Sequence, residues 1–505
     1  MPIPSLLLAA TVLTAGAGVA DPPATSLTIY SSADPAGFDP TRYVAQQRNG
    51  FTPNAAWQVP GFGVVKQLRT FALESGRNTV SFTDVAAFLD PTTVGFSDLT
   101  DPATSVLEQS FEFDLVSPSK LLETYLDRRI RAVVPMGDSS RVFEGVLLSA
   151  VQDRLVIQTD EGIEMVDAKG TQISLTELPD GFLTRPTLVW DLLANKGGEH
   201  QIRTTYQTAG LTWRADYNLV LNPEDTKADL TAWVTLLNLS GVAYPDTQLK
   251  LVAGDVQRIQ PKSNRPMGRM QRGGGVEMMA SDAGFEEQAF FEYHLYTLPR
   301  RTDVANNSTQ QLTLFPSVSG ADITKELVYE PTGSMRGFGR EPYTNEGFVP
   351  SGSKKIGVFI AFKNTRENRL GMPLPKGRIR AYKQDPNDGT LEFIGEDLID
   401  HTPRNETVRI KLGDSFDVVG ERKVVDFWID KGRKTMSETV EIEVRNQKKA
   451  VQTVVVRENL YRWKSWEISQ RNNAFEKVDS NTIEWQLKIA PEGTEKIRYE
   501  VVYTW

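Results

Sequence analysis

Thr231-Ala232-Trp233-Val234-Thr235-Leu236-Leu237-Asn238 places Ala232, Val234 and Leu236 on one side of an extended chain, the period of two expected of a half-buried strand. A helix would instead group residues three and four apart. The same period recurs on both sides of this stretch. Upstream, Gly63 to Leu73 and Asn78 to Phe82 alternate around the turn Glu74-Ser75-Gly76. The segments 183–190, 201–208, 213–221, 229–239 and 248–256 follow, and the chain closes on Ile497, Tyr499, Val501, Tyr503 and Trp505, each two apart. The fold class that this patterning predicts is mainly β: antiparallel β-sandwich domains, the C-terminal one immunoglobulin-like, plus an Sm/SH3-like small barrel with one short helix.

The domain division predicted from turn signals and composition runs as follows. Residues 1–20 form a signal peptide, 21–56 a loosely held entry segment, 57–116 an N-terminal β module and 117–178 the small barrel. Residues 182–330 form a β-sandwich carrying a mobile loop at 261–287, 331–353 a loop, and 355–505 the immunoglobulin-like sandwich. The first β module is read as separate from the second. The small barrel rests on a change of period at Ser117-Pro118, a Ser N-cap and a Pro at N1, followed by apolar residues at 121, 122, 125 and 126 and then about five short strands.

Residues 1–20 contain no charged side chain, and their apolar run from Leu6 to Leu13 leads into small residues ending at Ala20. That pattern predicts export with cleavage after Ala20, to the periplasm or the medium, although the first basic residue is Arg42. The apolar run is shorter than the roughly 20 residues that cross a bilayer, so no transmembrane helix is expected in the mature chain. The chain has no cysteine, so neither a disulfide framework nor a lipid-modified cysteine is available to it.

The 505 residues include 65 acidic and 56 basic side chains, a net charge of −9 that repels nucleic-acid phosphates. The small barrel follows the same rule. Residues 120–178 hold seven basic and ten acidic side chains, the wrong sign for an RNA-binding face. No nucleic acid is expected as a partner.

Several segments together carry a resemblance: Gly61-Phe-Gly-Val-Val-Lys66, Asp90-Pro-Thr-Thr-Val94, Gly210-Leu-Thr-Trp-Arg-Ala-Asp-Tyr217, Leu251-Val-Ala-Gly-Asp-Val256, Glu292-Tyr-His-Leu-Tyr-Thr-Leu298 and Phe416-Asp-Val-Val-Gly-Glu-Arg-Lys423. They resemble a family of uncharacterised exported bacterial proteins, related through a C-terminal domain of unknown function to the mucoidy inhibitor A-like proteins. The resemblance implies membership and carries over no catalytic or binding residue.

Motifs for chemistry are sparse. The histidines are His200, His294 and His401; the first and last sit beside turns and are expected in solvent, while His294 lies in an alternating run as an ordinary strand residue. Ser117-x-x-Lys120 has a nucleophile–lysine spacing but lacks its partner motifs, and Ser117 serves as a helix cap. Met267, Met270, Met278 and Met279 crowd one loop; thioethers can bind cuprous ion, but no His or Cys accompanies them there. Trp463 and Trp466 are expected on opposite faces of a strand, with core packing favoured over sugar stacking.

No catalytic, cofactor-binding or metal-ligating residue is assigned, and no cofactor is expected. The reading is a non-enzymatic exported envelope protein whose β-modules bind an envelope protein or a surface polymer. Its alternatives are a hydrolase using carboxylates such as Asp255 or Glu292, and an outer-membrane or surface-anchored structural protein suggested by the aromatic C-terminal strand.

Overall fold

A computed structural model describes residues 24–31, 38–48, 54–112, 118–136, 139–151, 153–177, 185–254, 256–257, 285–290, 292–333, 341–348 and 353–505. The signal-peptide reading, Ser117, Asp255 and the four loop methionines lie outside the described residues. The architecture is mainly β, with several antiparallel sheets and three short helices among the described residues.

An eight-stranded sheet runs Glu286–Phe290, Tyr293–Thr297, Tyr244–Ala253, Thr25–Ser31, Gly61–Leu73, Gly198–Thr208 and Leu89–Asp98, with Thr302–Val304 beside Tyr244–Ala253. A five-stranded sheet runs Ser308–Asp322, Lys227–Asn238, Leu211–Leu221, Gly377–Gln384 and Leu391–Ile399. A third sheet places Thr187–Ala194 between Gly76–Thr83 and Ser105–Glu112. Their inward residues share one core, in which Val65, Phe82, Trp190, Tyr206, Tyr217, Val234 and Leu251 are all buried.

Three of the expected boundaries are corrected by this arrangement. Residues 57–116 and 182–330 are one unit, because Gly61–Leu73 pairs with Gly198–Thr208 along its length and the strand at 187–194 fills the gap between two strands of the earlier segment. Neither half buries its apolar face without the other. The entry segment is not loose either: Thr25–Ser31 lies inside the large sheet, parallel to Tyr244–Ala253, with Leu27 and Ile29 fully buried. Finally, Gly377–Gln384 pairs in parallel with Leu211–Leu221, so part of 355–505 completes the central unit.

Between Ser105–Glu112 and Thr187–Ala194 the chain makes the small module. A helix at Pro118–Thr124 precedes Arg129–Met136, Ser139–Val151, Arg154–Thr159 and Gly162–Asp167, and Gln172–Ser174 returns to pair with Arg129–Met136. Helix and five strands occur in the expected order around Tyr125, Ile130, Phe143, Leu147, Leu155 and Ile157. The barrel is not closed by hydrogen bonds, because Gly162–Asp167 and Gln172–Ser174 are the two edges of the sheet.

The C-terminal part differs from the two separate sheets of an immunoglobulin-like sandwich. It is one nine-stranded sheet, Trp466–Arg471, Thr494–Thr504, Thr435–Asn446, Thr407–Asp430, Lys355–Lys363, Thr324–Tyr329, Gln452–Asn459, Thr482–Ile489 and Glu476–Lys477. It bends so that its arms cover each other, burying Val440, Ile442, Val456, Trp485, Ile497, Tyr499, Val501 and Tyr503. The alternating face of the last strand therefore points into a protein core, not outward to lipid as the barrel alternative requires. Among the described residues no helix is long and apolar enough to cross a membrane.

The strand Thr407–Asp430 serves both cores, with Val408 and Ile410 in the central one and Val418 in the C-terminal one. Leu391–Ile399 crosses close to it at Gly395, whose φ is +151° and where an added Cβ would lie 2.1 Å from the Leu412 carbonyl oxygen. Gly395→Ala is therefore expected to destabilise the protein by about 1–3 kcal/mol, the usual cost of overpacking, read as a lower urea midpoint at unchanged slope.

Candidate functional site

The central sandwich is open along one side, where two edge strands face a common groove. Glu286–Phe290 ends the eight-stranded sheet and Ser308–Asp322 ends the five-stranded one. The two touch where Phe285 N donates to the Leu314 carbonyl at 2.9 Å. Beyond that contact lies a groove of about 800 Å³, lined by Glu286, Glu287 and Gln288 on one side and Phe315 to Ser319 on the other. Arg366, Arg369, Leu370, Met372 and Arg404 complete it.

The loop after Lys355–Lys363 carries two of these arginines and is held from within by buried asparagines. The Asn364 side chain donates to the Met372 and Pro403 carbonyls at 2.7 and 3.0 Å and accepts from Gly371 N at 3.0 Å. Asn368 bridges the loop to the edge strand: its Oδ1 accepts from Asp322 N at 2.5 Å, and its Nδ2 donates to the Asp322 and Lys363 carbonyls at 3.1 and 3.0 Å. Arg369 then donates to the Ser319 carbonyl at 2.5 Å. The loop is preorganised, which lowers the entropy that ligand binding must overcome.

Glu287 anchors the opposite wall. Its side chain is 8% exposed, with Oε1 2.7 Å from His294 Nδ1 and Oε2 3.1 Å from Arg404 Nη2. Burial pushes this carboxyl up, but His294 and Arg404 outweigh burial and hold it below the usual carboxylate range. With both oxygens engaged, Glu287 is a fixed acceptor that positions Arg404, not a proton donor raised toward neutrality.

The residues singled out from sequence scatter across the molecule. His200 is a correction: it is buried instead of solvent-facing, with Nδ1 2.5 Å from Asp98 Oδ2 and Nε2 3.2 Å from the Lys196 carbonyl. His294 lies in Tyr293–Thr297, a strand residue as expected, and also the partner of Glu287. His401 is exposed and accepts from Lys376 N at 3.2 Å. Glu292 is exposed at the turn before Tyr293.

The helix that Ser117 was expected to cap is present at Pro118–Thr124. Trp463 and Trp466 do not take opposite faces of one strand, since the strand starts at Trp466 and both lean on the C-terminal core. Arg366, Arg369, Arg404 and Glu287 were not found from sequence. No motif joins them, and the nearest signal is the break in patterning expected over 261–287, whose end is corrected by the structure: Glu286 and Glu287 already belong to the strand Glu286–Phe290.

Residues 202–505, more than half of the chain and all of the groove, match the family described as a domain of unknown function, DUF4139. No curated protein matches the chain.

Proposed function

Because the chain belongs to the family of proteins with the domain of unknown function DUF4139, a family that assigns it no reaction, we propose that it is an exported, non-enzymatic binding protein of the cell envelope. The observation that carries this reading is the groove between the two sheet edges. Its loop is locked by Asn364 and Asn368, and its buried carboxylate is committed on both oxygens to His294 and Arg404. Such a site recognises a shape and a charge, whereas general acid–base work needs a carboxyl or imidazole free to exchange protons with a substrate.

Export is the second part of the proposal, supported by the uncharged N-terminal run that ends at Ala20. The test is fractionation of cells making the full chain, followed by mild cross-linking of the intact envelope. The protein is expected in the extracytoplasmic fraction with Asp21 as its first residue, and in a reproducible cross-linked complex. Retention in the cytoplasm, or a chain that cross-links to nothing when present outside it, would sink the proposal.

A further inference from the structure

We propose that the groove takes an extended, acidic peptide segment of the partner, which adds as a strand to the open edge of Glu286–Phe290. This inference rests on the binding reading above and specifies its ligand. The first support is backbone chemistry. Glu286–Phe290 pairs on one side with Tyr293–Thr297; on its other edge, among the described residues, the single bond from Phe285 N to the Leu314 carbonyl marks where Ser308–Asp322 begins to diverge, and no ladder runs beyond it. An exposed edge presents a row of N–H and C=O groups that only another polypeptide backbone matches in register, which favours a peptide over a polysaccharide.

The facing edge is less suited to pairing. Pro316 lacks an N–H, the Ser319 carbonyl is occupied by Arg369, and the register shifts between Leu230 and Trp233 on the neighbouring strand mark an irregular ladder. It forms a wall, with Phe315, Leu370 and Met372 as apolar surface for alternate side chains. Five paired residues of an extended ligand span about 17 Å.

Charge selects the sequence of that ligand. Arg404 is matched by Glu287 at 3.1 Å, which within the lining leaves the exposed Arg366 and Arg369 against the exposed Glu286; Glu367 beside Arg366 and Asp322 near Arg369 stand outside the lining. The lining residues thus carry three arginines against two glutamates, in a chain whose net charge is −9. At physiological salt, charges beyond about 8 Å are largely screened, so the local cations decide over the acidic whole. The chain's own segment 258–284 does not supply the complement, since it holds five basic residues, Arg258, Lys262, Arg265, Arg269 and Arg272, against Glu277 and Asp282.

The test uses the full mature chain and a fluorescent octapeptide of alternating threonine and glutamate, followed by polarisation. Binding is expected, with at least tenfold weakening by Arg366→Glu, by Arg369→Glu, and by N-methylation of alternate peptide amides. The same peptide with lysine for glutamate is expected not to bind. Circular dichroism checks that each variant stays folded. Affinity unchanged by N-methylation overturns strand addition, and equal binding of the lysine peptide overturns the charge argument. Polygalacturonate bound with the same arginine dependence, in place of the peptide, would make the ligand a polysaccharide and sink the proposal.

A photo-cross-linking residue at Gln288 and a second at Val451, remote in sequence from the groove, separate the two levels in the envelope. Partner capture at Gln288 supports the groove. Capture only at Val451 leaves the binding reading standing and removes the groove from it, and capture at neither removes both. A cross-link from Gln288 to the chain's own residues 258–284 assigns the groove to that segment and also overturns the proposal.

Discussion

Arg462→Ala is expected to cost the protein about 3–5 kcal/mol, enough to unfold a marginally stable C-terminal sheet. Arg462 and Glu438 are both fully buried, with Nε 2.7 Å from Oε1. The N–H is not aimed along that contact, so it is an ion pair without an aligned hydrogen bond, and Glu438 Oε1 also accepts from Tyr461 OH at 3.0 Å. Arg462 Nη1 donates to the Tyr343 and Asn345 carbonyls at 2.8 Å each, tying residues 341–348 to the core.

A second pair stands in the same interior. Arg422 Nε lies 2.8 Å from Glu458 Oε1, which also accepts from Tyr499 OH at 2.9 Å. Removing one guanidinium strands a carboxylate away from water, and that penalty sets the size of the effect. The pair is not expected to be worth as much when both members are replaced. Arg462→Met with Glu438→Leu should recover most of the loss, because hydrophobic replacement of a buried ion pair is often neutral or better. Urea unfolding of the single and double variants checks this. A single variant within 1 kcal/mol of the parent would show that the charge is reached by water.

These pairs also mark where reading the sequence stops. The alternation in Thr435–Asn446 and Thr494–Thr504 is legible: every second residue is buried throughout the first strand and from Ile497 to Tyr503 in the second. A period of two says which residues share a face but not which strand lies beside them. Gly61–Leu73 and Leu211–Leu221 each have one partner close in sequence and one from more than a hundred residues away, and two pairings in the central unit are parallel. Local patterning therefore does not locate the domain boundaries of this chain.

Buried charge misleads in the same way. Glu438 occupies a face whose other members are Met436, Val440, Ile442, Val444 and Asn446, so the alternation holds through a residue type that is normally exposed. His200 follows the turn Lys196-Gly-Gly and looks like a surface residue until Leu89–Asp98 is laid against its strand. The groove was the least legible feature. It is assembled from two strand edges and two loops that no local spacing connects, and its asparagine clamps are ordinary turn residues in the linear text.

Asp98→Ala is the second substitution with a large expected effect, a loss of about 3–5 kcal/mol at neutral pH that shrinks in acid. The Asp98 carboxylate is fully buried at the end of Leu89–Asp98 and accepts four times: Oδ1 from Thr100 N at 2.9 Å and Asp101 N at 3.0 Å, Oδ2 from Thr104 Oγ1 at 2.8 Å and from the His200 ring at 2.5 Å. Removing it leaves the buried Asp101 amide and the part-buried Thr100 amide and Thr104 hydroxyl without their acceptor, and unties His200 on Gly198–Thr208 from the end of Leu89–Asp98. Burial raises the Asp98 pKa, but the hydrogen bonds from Asp101, His200, Thr104 and Thr100 outweigh it and hold the group below its ordinary value.

The sign of the pH effect follows from linkage. In the window between the folded pKa and the unfolded value near 3.9, the unfolded chain binds a proton that the native chain does not. The stability due to Asp98 is therefore fully present above that unfolded value and is lost as the pH falls through the folded one. The parent and Asp98→Ala should accordingly differ most near pH 7 and converge below about pH 4 when their urea midpoints are measured across the acid range. A gap that stayed constant down to the lowest pH would mean that the lost stability is steric, with the carboxylate's charge contributing nothing to how the two halves are joined.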